Sequence, residues 1–371
     1  MVGMSDQNRL RFQAGEFTFS VEAPQSLQVD ISTMFSGFRR LDPRFVVANV
    51  FTITCLEKGE DSPWTISGPN VPSSPISTRA ILLDVLVGGV NLSILDADPV
   101  ALHLHAGAVS RNGRGVIVVG ESGSGKTTLA ATLVSAGWDY ITDEMVRLMP
   151  GESLITGFPK PLSIRASGAD LVKIPSGVVP IAGADASLQV SPAQLGARVT
   201  DRSTPSLLLF CSGPAAQRRG AQPTARVISA SDAVVALMSQ TMDAERFGPG
   251  AVEVLSELAA RCRSFAFGVG ETDLMANLIS GITDAEYTHV TPPVEAVSAS
   301  GRVVDGILTV LIGEEAVVHV QRSGAIMALD PPAAAIWRRL ADIPVDGNDV
   351  DLHGPVESRF VAQLVTMGLI E

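Results

Sequence analysis

Charge, aromatic rings and cysteine are all scarce in this chain, and each shortage excludes something. Charged residues make up 18% and aromatic residues 5% of 371, so the 46% hydrophobic share comes mainly from Ala, Val, Leu and Ile. Those are the materials of closely packed α/β layers, in a chain long enough for about two or three average domains with real cores. Basic side chains are outnumbered 27 to 39, for a net charge of −12. Without a basic footprint there is no counterion release to drive non-specific nucleic-acid binding, and anionic lipid offers no attraction. Neither nucleic acid nor membrane is an expected partner. Cys55, Cys211 and Cys262 are an odd, scattered trio with no CxxC pair and no His at zinc-ligand spacing, which argues against a disulfide framework and a structural zinc site. No apolar run approaches 18 uninterrupted residues, and the N-terminus lacks the basic-then-apolar pattern of a signal peptide. The expectation is a soluble cytoplasmic protein.

What is present falls into three stretches. Residues 1–95 hold alternating runs rich in β-branched and aromatic side chains, such as Phe17–Val21 and Phe45–Thr54, then a Ser/Pro-rich stretch from Asp61 to Ser77 and apolar helical spacing from Arg79 to Leu95. This predicts a strand-rich N-terminal region leading into one helix, packed on the central part of the chain and carrying no chemistry. Residues 96–285 alternate strand, loop and helix, with helical stretches at 231–243 and 250–262. Pro292, Pro293 and the Gly/Ser-rich 298–301 read as a linker. The remaining tail, in a domain set at 286–371, predicts one or two hairpins over 303–320 and amphipathic helices near 331–342 and 355–367, a small winged-helix-like unit.

The informative segment is Gly120-Glu121-Ser122-Gly123-Ser124-Gly125-Lys126-Thr127, which fits G-x-x-x-x-G-K-[ST]. It comes after the continuous apolar run Arg114–Val119, as expected of a strand buried on both faces, and precedes helix formers from Thr127 and Thr128 to Ala136 with Gly137 beyond. In such a loop glycines let backbone amides turn toward an anion, and the helix N-terminus adds positive potential. Lys126 supplies a point charge for β- and γ-phosphates, and Thr127 offers a hydroxyl to Mg²⁺. The expected cofactors are ATP and Mg²⁺.

Asp143 and Glu144 come only 17 residues after Lys126, at the end of the strand that succeeds the loop helix. An acid so early suits a kinase, where one carboxylate orients or deprotonates an acceptor hydroxyl and the other assists the metal. His105 reaches the same end of the sheet if its segment and Arg114–Val119 form a hairpin turning at Ser110–Gly113. His103, two residues earlier, shares a strand face with it, an arrangement resembling a metal pair but with no third ligand. Lys160 and Arg165 come after the acids and could neutralise charge on a transferred phosphoryl group, with Arg198 and Arg202 as further cations of the same kind.

These blocks, His105-Ala-Gly, Gly120–Thr127 and Ile141-Thr-Asp-Glu144, resemble the HPr kinase/phosphorylase family and its HPr-kinase-related relatives, closely over about forty residues and loosely over 80–280. The resemblance implies that His105 contacts phosphate, that the loop binds nucleotide, that Asp143 is the base, and that Glu144, where the family commonly has a second aspartate, helps the metal. It also implies a homo-oligomer. The family's Arg-Gly-x-Gly signature is missing, and Gly157-Phe-Pro-Lys-Pro-Leu-Ser-Ile-Arg165 looks instead like the related kinases that phosphorylate ribosomal peptides. Met327–Trp337 and Phe360–Ile370 resemble the PqqD-like peptide-recognition module, which implies capture of a leader peptide by strand addition beside a helix. Trp337 itself fits a core position.

The fold expectation is therefore α/β: an HPr-kinase-like P-loop core, a strand-rich N-terminal region and a PqqD-type C-terminal domain. The function expected is phosphorylation of a Ser/Thr hydroxyl on a peptide or small protein, such as a precursor of a ribosomally synthesised modified peptide. Two alternatives stay open: a small-molecule hydroxyl kinase, and a non-catalytic nucleotide-gated peptide-binding module.

Overall fold

Alternation of apolar and polar residues in Arg9–Ala14 and Phe17–Glu22 folds them into an antiparallel pair around the turn at Gly15, whose φ of 56° favours glycine. They lie inside a five-stranded sheet in the order Arg39–Arg40, Arg9–Ala14, Phe17–Glu22, Asn49–Cys55, Trp64–Ser67. Phe12, Phe19 and Phe51 on its inner face meet Phe35 and Phe38 from the turn after helix Gln25–Met34, with ring contacts at 5.1–6.2 Å. The structure, a computed structural model, describes residues 8–56, 63–183, 187–212, 221–285, 290–344 and 354–370.

Two helices, not one, join this sheet. Gln25–Met34 escapes the sequence pattern because its Val, Ile and Thr residues suit strands equally well. Arg79–Ala97 is the one described helix long and apolar enough to cross a membrane, but Leu82, Leu83, Leu86, Val87, Val90 and Ile94 are buried in the N-terminal core. Trp64–Ser67, inside the Ser/Pro-rich stretch, is a strand, while residues 57–62 lie outside the described part.

A nine-stranded mixed sheet carries the glycine-rich loop, so the chain is of mixed α/β class. Arg114–Val119 sits between Arg202–Ser212, parallel to it, and Gly107–Arg111, antiparallel. Asn112 (φ 52°) and Gly113 (φ 77°) make the two-residue turn of that hairpin. The expected hairpin therefore covers only Gly107–Val119. At Ala106 the chain leaves it, and Leu102–His105 pairs instead with Met145–Leu148 at the far edge of the same sheet. Asp139–Thr142 pairs with Gly107–Arg111, so one antiparallel strand separates the acid-bearing strand from the loop-bearing strand. Helix Lys126–Ser135 covers one face through Leu129, Leu133 and Val134, and a three-stranded sheet of Leu162–Ile164, Leu188–Val190 and Ile181–Ala182 lies beside it.

The other face is covered by helices Ala230–Met238 and Pro249–Arg261, and these are shared with the C-terminal region. There, Val294–Ser298, Ile307–Ile312, Glu315–Val320 and Ala325–Leu329 form an antiparallel sheet in chain order. Val310, Ile312 and Val317 pack on the two helices, whereas Ile307, Leu311, Ala316 and Val318 face helices Pro331–Leu340 and Pro355–Thr366. Trp337 is fully buried and its Nε1 donates to Thr309 Oγ1 at 3.0 Å. The stretch read as a linker begins instead with a strand paired over five residues, because Val294 and its neighbours complete the sheet that covers both helices.

Candidate functional site

Strand Arg114–Val119 delivers the chain to Gly120, and helix Lys126–Ser135 takes it up after Gly125, so the loop has strand and helix on its two sides. Its turns are possible only for glycine. Gly123 and Gly125 have φ of 86° and 103°, and a Cβ on Gly120 would lie 2.6 Å from Cys211 O. The side chain of Lys126 folds back over the loop, donating to Gly120 O at 2.6 Å and Glu121 O at 3.3 Å. Burial lowers its ammonium below the usual lysine range, with Asp143 and Glu144 acting the other way.

A cleft of about 360 Å³ opens here, lined by the loop, His105, Asp143, Glu144, Lys160 and Arg165, so the candidates drawn from distant parts of the sequence converge. Met145 pairs with His105 in the sheet, which sets Glu144 beside the imidazole: Nδ1 of His105 lies 3.2 Å from Glu144 Oε1. Lys160 Nζ lies 3.2 Å from Glu144 Oε2 and 3.6 Å from Asp143 Oδ2. Asp143 is buried, and its Oδ1 has no hydrogen-bond partner among the described residues.

The two acids are driven apart electrostatically. Burial pushes the Asp143 carboxyl up to about 6, against the opposing pull of Lys160, with Glu144 adding to the rise. Burial also acts to raise Glu144, but the hydrogen bond from His105 and the charge of Lys160 outweigh it and hold the group down to about 2. Lys160 is itself buried, and its two carboxylate neighbours overcome that cost and lift it above the usual lysine range. The site thus contains one carboxylate pinned as an anion and one poised to exchange a proton near neutrality.

Arg165 reaches the loop from the other side, its Nη2 donating to Ser122 Oγ at 2.8 Å. Ser163 and Gly168 also line the cleft and were not signalled by the sequence. A Cβ on Gly168 would stand 2.9 Å from Thr128 Oγ1, a close approach that a lone glycine in a Ser/Ala-rich stretch does not announce. His103 does not join His105. It is fully buried with Nδ1 2.9 Å from Asp243 Oδ2 and Nε2 3.3 Å from Asp98 Oδ2, and those carboxylates also pair with Arg246 and Arg147. Arg198 pairs with Asp139 and, like Arg202, does not line the cleft.

The residues present suit a nucleotide–Mg²⁺ pair. A Cβ on Gly120 would strike Cys211 O and Ser124 Oγ, so the loop keeps its turn only with glycine, and Glu144, held as an anion, lines the same cleft as Thr127 and supplies a hard oxygen donor. No group of three or more His, Cys, Asp or Glu placed for a metal occurs among the described residues.

No family model matches the chain, and no curated protein matches it. Among solved structures it is similar to the HPr(Ser) kinase/phosphatase from Coxiella burnetii, with 14% identity and a TM-score of 0.25 over 49% of this chain and 98% of that one. A likeness at that level carries no functional argument.

Proposed function

We propose that this chain is a P-loop phosphotransferase that moves the γ-phosphoryl group of ATP to a Ser or Thr hydroxyl of a peptide or small protein, such as a precursor of a ribosomally synthesised modified peptide. One observation carries the reading: the buried Asp143 carboxyl, raised to about 6, lines the same cleft as the glycine loop. In the step proposed, Asp143 takes the acceptor proton as the hydroxyl oxygen bonds to the γ-phosphorus and the bond to the ADP oxygen breaks. Lys126 and the loop amides, from Gly120 to Thr128, hold the β- and γ-phosphates. His105, oriented by Glu144, and Lys160 and Arg165 lie where charge on the transferred group needs neutralising. Thr127 with Glu144 would hold Mg²⁺, which when bound offsets phosphate charge.

The peptide as acceptor is supported by the C-terminal sheet. Ala325–Leu329 pairs with Glu315–Val320 on one side only among the described residues, leaving an edge suited to strand addition. The test is incubation of the full chain with γ-labelled ATP, Mg²⁺ and either Ser/Thr-containing peptides or small hydroxyl metabolites. Label on a peptide side chain is the expected result. Label only on metabolites would replace the acceptor class, and tight nucleotide-dependent peptide binding without label would make the protein a gated binding module.

A further inference from the structure

The N-terminal core packs directly against segments that line the cleft. Met145, directly after the acid pair, and Phe158, two residues before Lys160, are both buried in the cluster formed by Phe12, Phe35 and Phe38. Between Phe35 and Phe38 the chain makes a turn, closed by Phe38 N donating to Phe35 O at 3.0 Å. Gly37 in that turn does not need glycine for its backbone angles. It needs glycine for space: a Cβ there would lie 2.5 Å from the Pro159 carbonyl oxygen, 2.9 Å from Pro159 Cβ and 3.3 Å from its Cγ.

The segment so pressed is the one that delivers Lys160. From the opposite side it is held by the acid-bearing strand: Thr142 Oγ1 donates to Phe158 O at 2.9 Å and Tyr140 Oη to Lys160 O at 2.8 Å. Two bonds and one close contact therefore fix three consecutive residues, and Lys160, 3% exposed, sets its ammonium between Asp143 and Glu144. A flexible four-carbon lysine stem held so completely is unusual for a side chain that carries about 2 kcal/mol of rotamer entropy.

We propose that Gly37 is a positioning residue for the reaction: the N-terminal region braces the Phe158–Pro161 turn through it and so sets Lys160 between the two cleft carboxylates. The reaction is the proposed phosphoryl transfer, and the brace rests on that reading only for its effect on rate. Its effect on Lys160 is independent.

The test uses the full chain with Gly37→Ala, and Phe158→Leu as a milder variant that loosens the packing of the same segment on the N-terminal core without a backbone clash. Native-state labelling with an amine-reactive reagent, quantified by mass spectrometry, reads Lys160 against the exposed Lys173 and the buried Lys126. The brace predicts that Lys160 labelling rises about tenfold in Gly37→Ala and a few-fold in Phe158→Leu, with Lys126 unchanged. It also predicts a fall in kcat of about tenfold or more, while KM for ATP stays within about twofold. Wild-type labelling of Lys160 in folded variants overturns the proposal. So does labelling that rises equally at Lys126, which means general loosening. If Gly37→Ala does not fold, Phe158→Leu decides by the same readings. Absence of phosphoryl transfer in the wild type would defeat the proposed function, whereas the labelling would still decide the brace.

Discussion

The Nδ1 atom of His105 lies 3.2 Å from Oε1 of Glu144: His105 ends one strand, and Glu144 immediately precedes the antiparallel strand beside it. The pairing engages Nδ1 and not Nε2 of His105, and both residues line the cleft. It also leaves Asp143, not Glu144, as the carboxyl available for proton exchange.

Asp143→Asn should abolish transfer, by about 10²-fold or more, and leave nucleotide affinity nearly intact. The same substitution should stabilise the fold, because a carboxyl raised from its ordinary value to about 6 is a cost at neutral pH, on the order of 2 to 3 kcal/mol. Calorimetric nucleotide titration and denaturant melts check both halves.

The transfer rate should rise with pH through about 6 as Asp143 ionises, falling up to about tenfold per unit below that. Stability responds with opposite signs at the two acids. The folded state binds the Asp143 proton more tightly than the unfolded chain does, so its cost is fully present above about 6 and vanishes as the pH falls toward 3.8. Glu144 contributes stability that is present above 4.5 and lost as the pH falls toward 2. Melts of wild type and Asp143→Asn at pH 7, 5 and 4 should converge as the pH drops.

Lys160→Met leaves two carboxylates without their shared cation. The pH midpoint of transfer should move above 6, since Lys160 opposes the rise of Asp143, and stability at pH 7 should fall by about 3 to 5 kcal/mol. A pH–rate profile that keeps the wild-type midpoint would remove Lys160 from the electrostatics of the site.

Gly157→Ala should destabilise the fold by about 1 to 3 kcal/mol, because the added Cβ would stand 2.8 Å from both Cβ and Cγ2 of Thr142, the residue beside Asp143. A thermal melt reads the loss, and an unchanged midpoint would show that the strand can yield there.

Local chemistry was the legible part. The glycine loop, its flanking strand and helix, and the acids 17 residues on all come from spacing that a chain can keep only with that local geometry. Close approaches between distant segments were not legible. Gly37 against Pro159 and Gly157 against Thr142 look like ordinary turn glycines in the sequence, and Lys160 looks like a surface cation between prolines. The departure of His105 from its hairpin was hidden for a related reason. Leu102-His-Leu-His alternates as any strand does, and its partner is chosen by the shape of the sheet, with Gln240 O accepting from His105 N at 2.8 Å along the other side.

Helices Ala230–Met238 and Pro249–Arg261 take part of their apolar cover from Val310, Ile312 and Val317, which lie about 50 to 80 residues later in the chain. At roughly 5–20 residues per second the ribosome would leave Leu237, Val252 and Leu255 bare for seconds before Val310, Ile312 and Val317 could arrive. Truncation ahead of the last sheet would make that interval permanent, so a shortened chain should engage chaperones and precipitate.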